Sequence, residues 1–194
     1  MWEHRLGIST RGVTDVLLPG YRYTTLSYSL IFRILRSLSL LPDDVLIDIG
    51  CGKGRVVCCA ATFRVRQVIG IDHSSELCRD ARRNVERMRA KQSPAMILEA
   101  SAETFDYRPG TVLYFYNSFG PPILDRMLAR LKSAVDETQR PIRFVYARAE
   151  HDAVLRGCGW LQQYDYWDDD RFRSSGRRNV SHGSLSSTRG VNQM

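Results

Sequence analysis

Short apolar runs, most of them closing on or beside Gly, Asp, Glu or Asn and most of them followed by an amphipathic stretch, constrain this chain more than any other feature. Val45–Gly50, Val68–Asp72, Ala95–Leu98, Thr111–Tyr116 and Ile142–Tyr146 read as strands, with a sixth candidate over Trp160–Trp167. Between them lie helical patterns. One covers 52–63, with Val56, Val57, Ala60 and Ala61 inward. Another opens at Ser74 or Ser75 with Glu76 in its first turn and carries Leu77, Ala81, Val85 and Met88 on one stripe, ending by Pro94. Pro121 and Pro122 open a third, with Ile123, Leu124, Met127, Leu128, Leu131, Ala134 and Val135 apolar, and a short helix is expected near 151–158. A helix over 26–41 precedes the first strand, with Ile31, Ile34, Leu35, Leu38 and Leu41 inward. Strands apolar on both faces, alternating with helices, predict an α/β single domain with a doubly wound, mainly parallel sheet.

With 194 residues, 43% of them hydrophobic and 25% charged, the chain has the size and composition of one globular domain. It lacks an apolar run of about 18 residues, so no membrane span is expected. The start, Met1-Trp2-Glu3-His4-Arg5, does not read as a signal peptide. Five cysteines in irregular spacing, with no C-x-x-C pair, argue against a disulfide framework or a zinc site and for a reducing compartment such as the cytoplasm. The net charge is +7, but residues 173–194 supply +4 of it through Arg173, Arg177, Arg178 and Arg189. That distribution does not favour a nucleic-acid partner over a solvated surface. The same segment is rich in Ser and Gly and poor in apolar residues, which predicts a disordered tail from 173 onward; the domain is expected over 24–172, after an N-terminal segment of 1–23.

In an open parallel sheet, ligands bind beyond the carboxyl ends of the strands at the topological switch point. That rule selects Asp48–Gly54, Asp72, Ala100–Glu103 and Asn117–Gly120. The stretch Asp48-Ile49-Gly50-Cys51-Gly52-Lys53-Gly54 places three alternate glycines between a strand and a helix, where backbone can approach a ligand without a Cβ in the way. A nicotinamide-binding loop has a third glycine where this chain has Arg55, and an acid two residues before the first glycine suits a cationic amine better than a pyrophosphate. Asp72, at the end of the second strand, is placed to accept hydrogen bonds from a ribose diol.

Val45–Asp72 resembles motifs one and two of the class I, Rossmann-like S-adenosylmethionine-dependent methyltransferases, and a weaker likeness extends over 24–167. The resemblance implies S-adenosylmethionine as cofactor, with its methionine end held around Asp48, Gly50, Cys51, Gly52 and Gly54 and its ribose on Asp72. His73 would border the adenine, which Ser101 and Ala102 would contact. Many members carry Asp where this chain has Ser101, and Glu103 could stand in. The family also adds an antiparallel last strand, for which 171–175 is a weak candidate; the sheet is therefore expected to be truncated at that edge.

Tyr116-Asn117-Ser118-Phe119-Gly120 is similar to the Asn-Pro-Pro-aromatic of amino-directed methyltransferases, with Ser118 in place of the first Pro, and to the Asn-Asn-Phe of non-SET histone lysine methyltransferases. Asn117 would then orient the acceptor, although Asn is also a common turn residue. Tyr23, Thr25 and Tyr28 would lie near the cofactor if the first helix covers it; half-buried packing is the more ordinary role for such tyrosines. Cys58 and Cys59 read as small core residues, and His151 lies near the mouth. The function expected is methyl transfer to an unidentified acceptor, an amine on a small molecule or protein side chain among the candidates. The alternative is a non-catalytic cofactor- or partner-binding domain of the same fold.

Overall fold

A computed structural model describes residues 2–11, 25–169 and 172–179. Strand β1 (Val45–Ile49) is buried along its whole length, and β2 (Gln67–Asp72) and β4 (Val112–Tyr116) pair with it in parallel on either side. β3 (Ala95–Glu99) extends the sheet beyond β2, and β5 (Arg143–Ala147) extends it beyond β4, both in parallel. β6 (Leu161–Asp169) and β7 (Phe172–Asn179) complete the order β3-β2-β1-β4-β5-β7-β6, with β7 antiparallel to both its neighbours. The order reverses at β1, so β1 and β4 flank the switch point.

Alternation along each strand feeds two cores. Leu46, Val68, Ile97, Val112, Tyr114 and Val145 face α1 (Trp2–Leu6), α2 (Tyr28–Ser37), α3 (Arg55–Ala60) and α4 (Ser75–Arg87). Val45, Ile47, Ile49, Ile71, Phe115 and Phe144 face α5 (Pro121–Thr138) and α6 (Asp152–Gly157). This is the expected doubly wound sheet.

The helices are shorter than their sequence patterns. α2 starts after Ser27, whose hydroxyl accepts from the Leu30 amide, and stops before Ser39, where φ is +47°; Leu41 therefore lies outside it and is 59% exposed rather than inward. α3 begins only at Arg55, because Gly50, Gly52 and Gly54 all take positive φ. α4 is capped by Ser74 and ends at Arg87, well before Pro94, because the Arg89 amide leaves the helix to donate to Leu6 O at 2.7 Å.

The far edge of the sheet corrects two expectations. Residues 173–179 are not a disordered tail: with Phe172 they form a strand between β5 and β6, on which the weak candidate 171–175 falls, and the sheet is not truncated there. Its backbone bonds on both sides replace the apolar burial that its composition lacks, and Arg177 is only 3% exposed with its Nη2 2.6 Å from Asp152 Oδ1 on α6. The remainder of the expected tail, 180–194, lies outside the described residues. At the other end, residues 2–10 pack on the domain: the Ser9 amide donates to Asn84 and the Thr10 hydroxyl meets Tyr28. Among the described residues, no helix is long and apolar enough to cross a membrane.

Candidate functional site

The glycine loop leaves β1 and folds back over β2. The amides of Gly50 and Cys51 both donate to Ile71 O at 2.9 Å, and the Gly54 amide donates to Cys51 O at 2.9 Å. The Gly52 amide donates to Asp72 Oδ2 at 2.9 Å, and the Ser74 amide donates to Asp72 Oδ1 at 2.9 Å. Gly50 has φ +74°, and a Cβ there would sit 2.3 Å from Ser118 Oγ, so the β1 and β4 loops touch only because this residue is glycine. Ser118 in turn donates to Tyr116 O at 3.1 Å. Gly54, at φ +76°, packs on Ala81 of α4, where a Cβ would lie 3.1 Å from the alanine methyl.

Asp48 and Asp72 stand at the ends of adjacent strands, both buried. Asp48 Oδ2 is buried and has no hydrogen-bond partner among the described residues. Desolvation, with a smaller contribution from the neighbouring Asp72 carboxylate, pushes the Asp48 carboxyl up to about 8. Among the described residues no donor reaches this oxygen, and a bound ammonium would supply a donor and a positive charge. Asp72 already accepts one amide on each oxygen, and each oxygen has a further lone pair for a hydroxyl. A glycine cradle above an undercompensated buried acid, with a second acid one strand away, fits an amino-acid-bearing nucleoside.

The other expected cofactor residues are placed unevenly. Cys51 is 5% exposed, its thiol lies beside Gly70 in the core, and its N–H and C=O are bonded within the fold, so it shapes the loop from below. His73 is exposed, with Nδ1 3.7 Å from Asp72 Oδ1. Ser101 and Ala102 follow β3 and are half-buried. Ser101 Oγ accepts from the Glu103 amide at 3.2 Å, and Ala102 O accepts from the Tyr107 hydroxyl at 2.7 Å. Glu103 pairs with Arg126 of α5. Tyr28 is 5% exposed, with its hydroxyl on Thr10 and its ring against Arg55, so it packs the N-terminal segment; Tyr23 lies outside the described residues.

Asn117 follows β4 in the left-handed region, at φ +36°. Its Oδ1 accepts from the Tyr146 hydroxyl at 2.8 Å, its Nδ2 donates to Glu150 Oε2 at 2.7 Å, and the His151 amide donates to the Tyr146 oxygen at 3.1 Å. Because a carboxylate only accepts, the end of the Asn117 amide that faces Glu150 is its nitrogen, and the other end, its oxygen, takes the Tyr146 proton. Glu150 Oε1 lies 2.7 Å from Arg148 Nε. Phe119 packs on Phe115, which packs on Tyr146, with ring centroids 4.7 and 4.9 Å apart. Tyr146, Arg148 and Glu150 were not among the expected site residues. They lie at and beyond the end of β5, and the strand-end rule, applied to the first four strands alone, stops one strand short of them.

Residues 46–137 match a family described as a methyltransferase domain. The chain is 25% identical over 141 residues to a protein-lysine N-methyltransferase of Saccharolobus islandicus (strain REY15A), covering 72% of this chain and 81% of that protein. The fold is similar to that of magnesium protoporphyrin IX methyltransferase from Synechocystis PCC 6803 with bound S-adenosylmethionine (TM-score 0.62, 15% identity, 78% of this chain and 76% of that one). It is also similar to an RNA methyltransferase from Salinibacter ruber in complex with S-adenosyl-L-homocysteine (TM-score 0.59, 18% identity, 84% and 100%). Sheet order and glycine loop are those of the methyltransferase fold in these structures, and the loop lies within the matched domain. Residues 46–137 carry a methyltransferase domain, and the chain is an S-adenosylmethionine-dependent enzyme.

Proposed function

We propose that the enzyme methylates an amine nitrogen, with Asn117 orienting the acceptor. The observation that carries this reading is the fixed amide of Asn117, held by Tyr146 and Glu150 at the end of the strand beside β1. Asn117 Oδ1 accepts one proton from Tyr146 and keeps a lone pair for an N–H of the acceptor. The similarity to a protein-lysine N-methyltransferase supports an amine.

In this reading Asp48 and the backbone of Gly50, Gly52 and Gly54 hold the methionine end of the cofactor, Asp72 takes the ribose hydroxyls, and His73, Ser101 and Ala102 border the adenine. When bound, S-adenosylmethionine supplies an electrophilic methyl group on a sulfonium, so the protein's task is position and polarity rather than activation. Asn117 aims a neutral nitrogen lone pair by accepting one of that nitrogen's hydrogens. Phe119, stacked on Phe115, offers an apolar wall beside it.

The test is incubation with labelled methyl donor and a panel of lysine-bearing proteins and peptides, small amines, nucleic acids and carboxylic acids. Label is expected on an amine acceptor and is expected to fall in Asn117→Ala. Label confined to an oxygen or carbon acceptor would contradict the proposal.

A further inference from the structure

We infer that residues 2–10 belong to the cofactor-binding machinery, as a strap that fixes the glycine loop through two positioning residues, Asn84 and Arg55. This rests on the assignment of that loop to the cofactor.

Three glycines with positive φ give the loop wide backbone freedom, so something must select one shape, and whatever does so lowers the ordering cost of binding. Strand β2 fixes the near side of the loop through Ile71 O and Asp72. The far side is held from the N-terminal segment. Asn84, 5% exposed on α4, donates through Nδ2 to Lys53 O and to Ser9 O, both at 2.9 Å, and accepts the Ser9 amide on Oδ1 at 2.9 Å. A single amide thus ties the loop carbonyl between Gly52 and Gly54 to the strap.

Arg55 follows Gly54 and is 9% exposed. Its Nε donates to Thr10 Oγ1 at 2.8 Å, Nη1 to Leu26 O at 2.9 Å and Nη2 to Thr10 O at 3.4 Å, and its guanidinium lies 4.5 Å from the centre of the Tyr28 ring. Glu3 Oε1 is 3.9 Å away and accepts the amide and hydroxyl of Thr10 at 2.8 and 2.9 Å. Burial pushes the Glu3 carboxyl up, but its bonds from Thr10 and Tyr28 and the charge of Arg55 hold it below the usual carboxylate range. A buried guanidinium needs these partners, and residues 3, 10, 26 and 28 supply all those named here. The strap itself sits tightly on α4: the Arg89 amide donates to Leu6 O at 2.7 Å, and a Cβ on Gly7 would lie 3.1 Å from Arg87 O.

Loosening the strap therefore frees the loop, although the strap residues lie outside it. The test compares full-length parent, Thr10→Val, Glu3→Gln and Asn84→Ala by calorimetric titration with S-adenosylhomocysteine and S-adenosylmethionine, well below each variant's thermal midpoint. Affinity is expected to fall about threefold to tenfold in Thr10→Val and Glu3→Gln and about tenfold or more in Asn84→Ala. Amide hydrogen exchange at Gly52 to Gly54 is expected to quicken in the cofactor-free variants. Lowered thermal midpoints with parental affinity and parental exchange would overturn the inference and leave the strap a stability element. Because Glu3 is only half-buried, Glu3→Gln keeps the test open if Thr10→Val does not fold. A parent that bound neither ligand would instead overturn the cofactor assignment beneath the inference, and the inference with it.

Discussion

The Gly52 amide donates to the Asp72 carboxylate at 2.9 Å, so the glycine loop and the acid of the second strand form one unit. Asp72 has two tasks: its oxygens hold the loop and the Ser74 amide, and their remaining lone pairs face the ligand in the proposed site.

Asp72→Ala is therefore expected to do more than weaken ligand binding. Two amides lose their acceptor, each buried unsatisfied group costing on the order of 1–3 kcal/mol, and cofactor affinity should fall by about tenfold or more. Asp72→Asn keeps one acceptor oxygen and should lose less stability. Chemical denaturation beside calorimetry checks both. Parental affinity in Asp72→Ala would remove the ribose assignment.

Gly50→Ala puts a methyl group 2.3 Å from Ser118 Oγ and forces a left-handed conformation on a residue with a Cβ, the latter alone costing about 1–2 kcal/mol. Loss of cofactor binding is expected. Adding Ser118→Gly removes the clash but not the backbone strain, so the double variant should recover only part of the affinity. Full recovery would show that the positive φ is dispensable.

The carboxyl of Asp48, raised by burial first and by Asp72 second, sets a pH dependence whose sign follows from linkage. Unfolded, this group ionises near its ordinary value of 3.8; folded and without cofactor, near 8. Between those values the folded chain holds the extra proton, so this group makes stability fall as pH rises from about 4 to about 8. Asp48→Asn should remove that slope and be more stable than the parent at pH 7, while binding the cofactor more weakly. Denaturation at pH 5 and pH 8 measures it; parallel profiles in parent and variant would contradict the burial argument.

Tyr146→Phe deletes the hydroxyl that orients Asn117 without touching the glycine loop. Methyl transfer is expected to drop about tenfold to a hundredfold through misplacement of the acceptor, with cofactor affinity unchanged. Equal loss of both would place Asn117 in the cofactor shell.

The central sheet was legible because strands buried on both faces must be apolar, and Val45–Ile49 and Val112–Tyr116 satisfy that rule in their own sequence. β7 was legible only as a weak antiparallel candidate over 171–175, because its hold on the sheet is backbone pairing to β5 and β6 plus an Arg177–Asp152 contact spanning 25 residues. Asp48, the glycines, Asp72 and Asn117 were legible as strand-end residues. Arg55 was legible only as a missing glycine, since its partners Thr10 and Leu26 lie 45 and 29 residues away and no local pattern joins them. Tyr146 reads as a core strand residue. Its ring is indeed buried, but its hydroxyl reaches the site.

Calorimetric titration of the parent protein with S-adenosylmethionine, S-adenosylhomocysteine, NAD and NADP tests the central claim most directly. The glycine spacing, the undercompensated Asp48 and Arg55 in place of a third nicotinamide-type glycine predict binding of the first two and none of the dinucleotides. Tight binding of a dinucleotide, with no binding of S-adenosylmethionine or its demethylated product, would contradict the account.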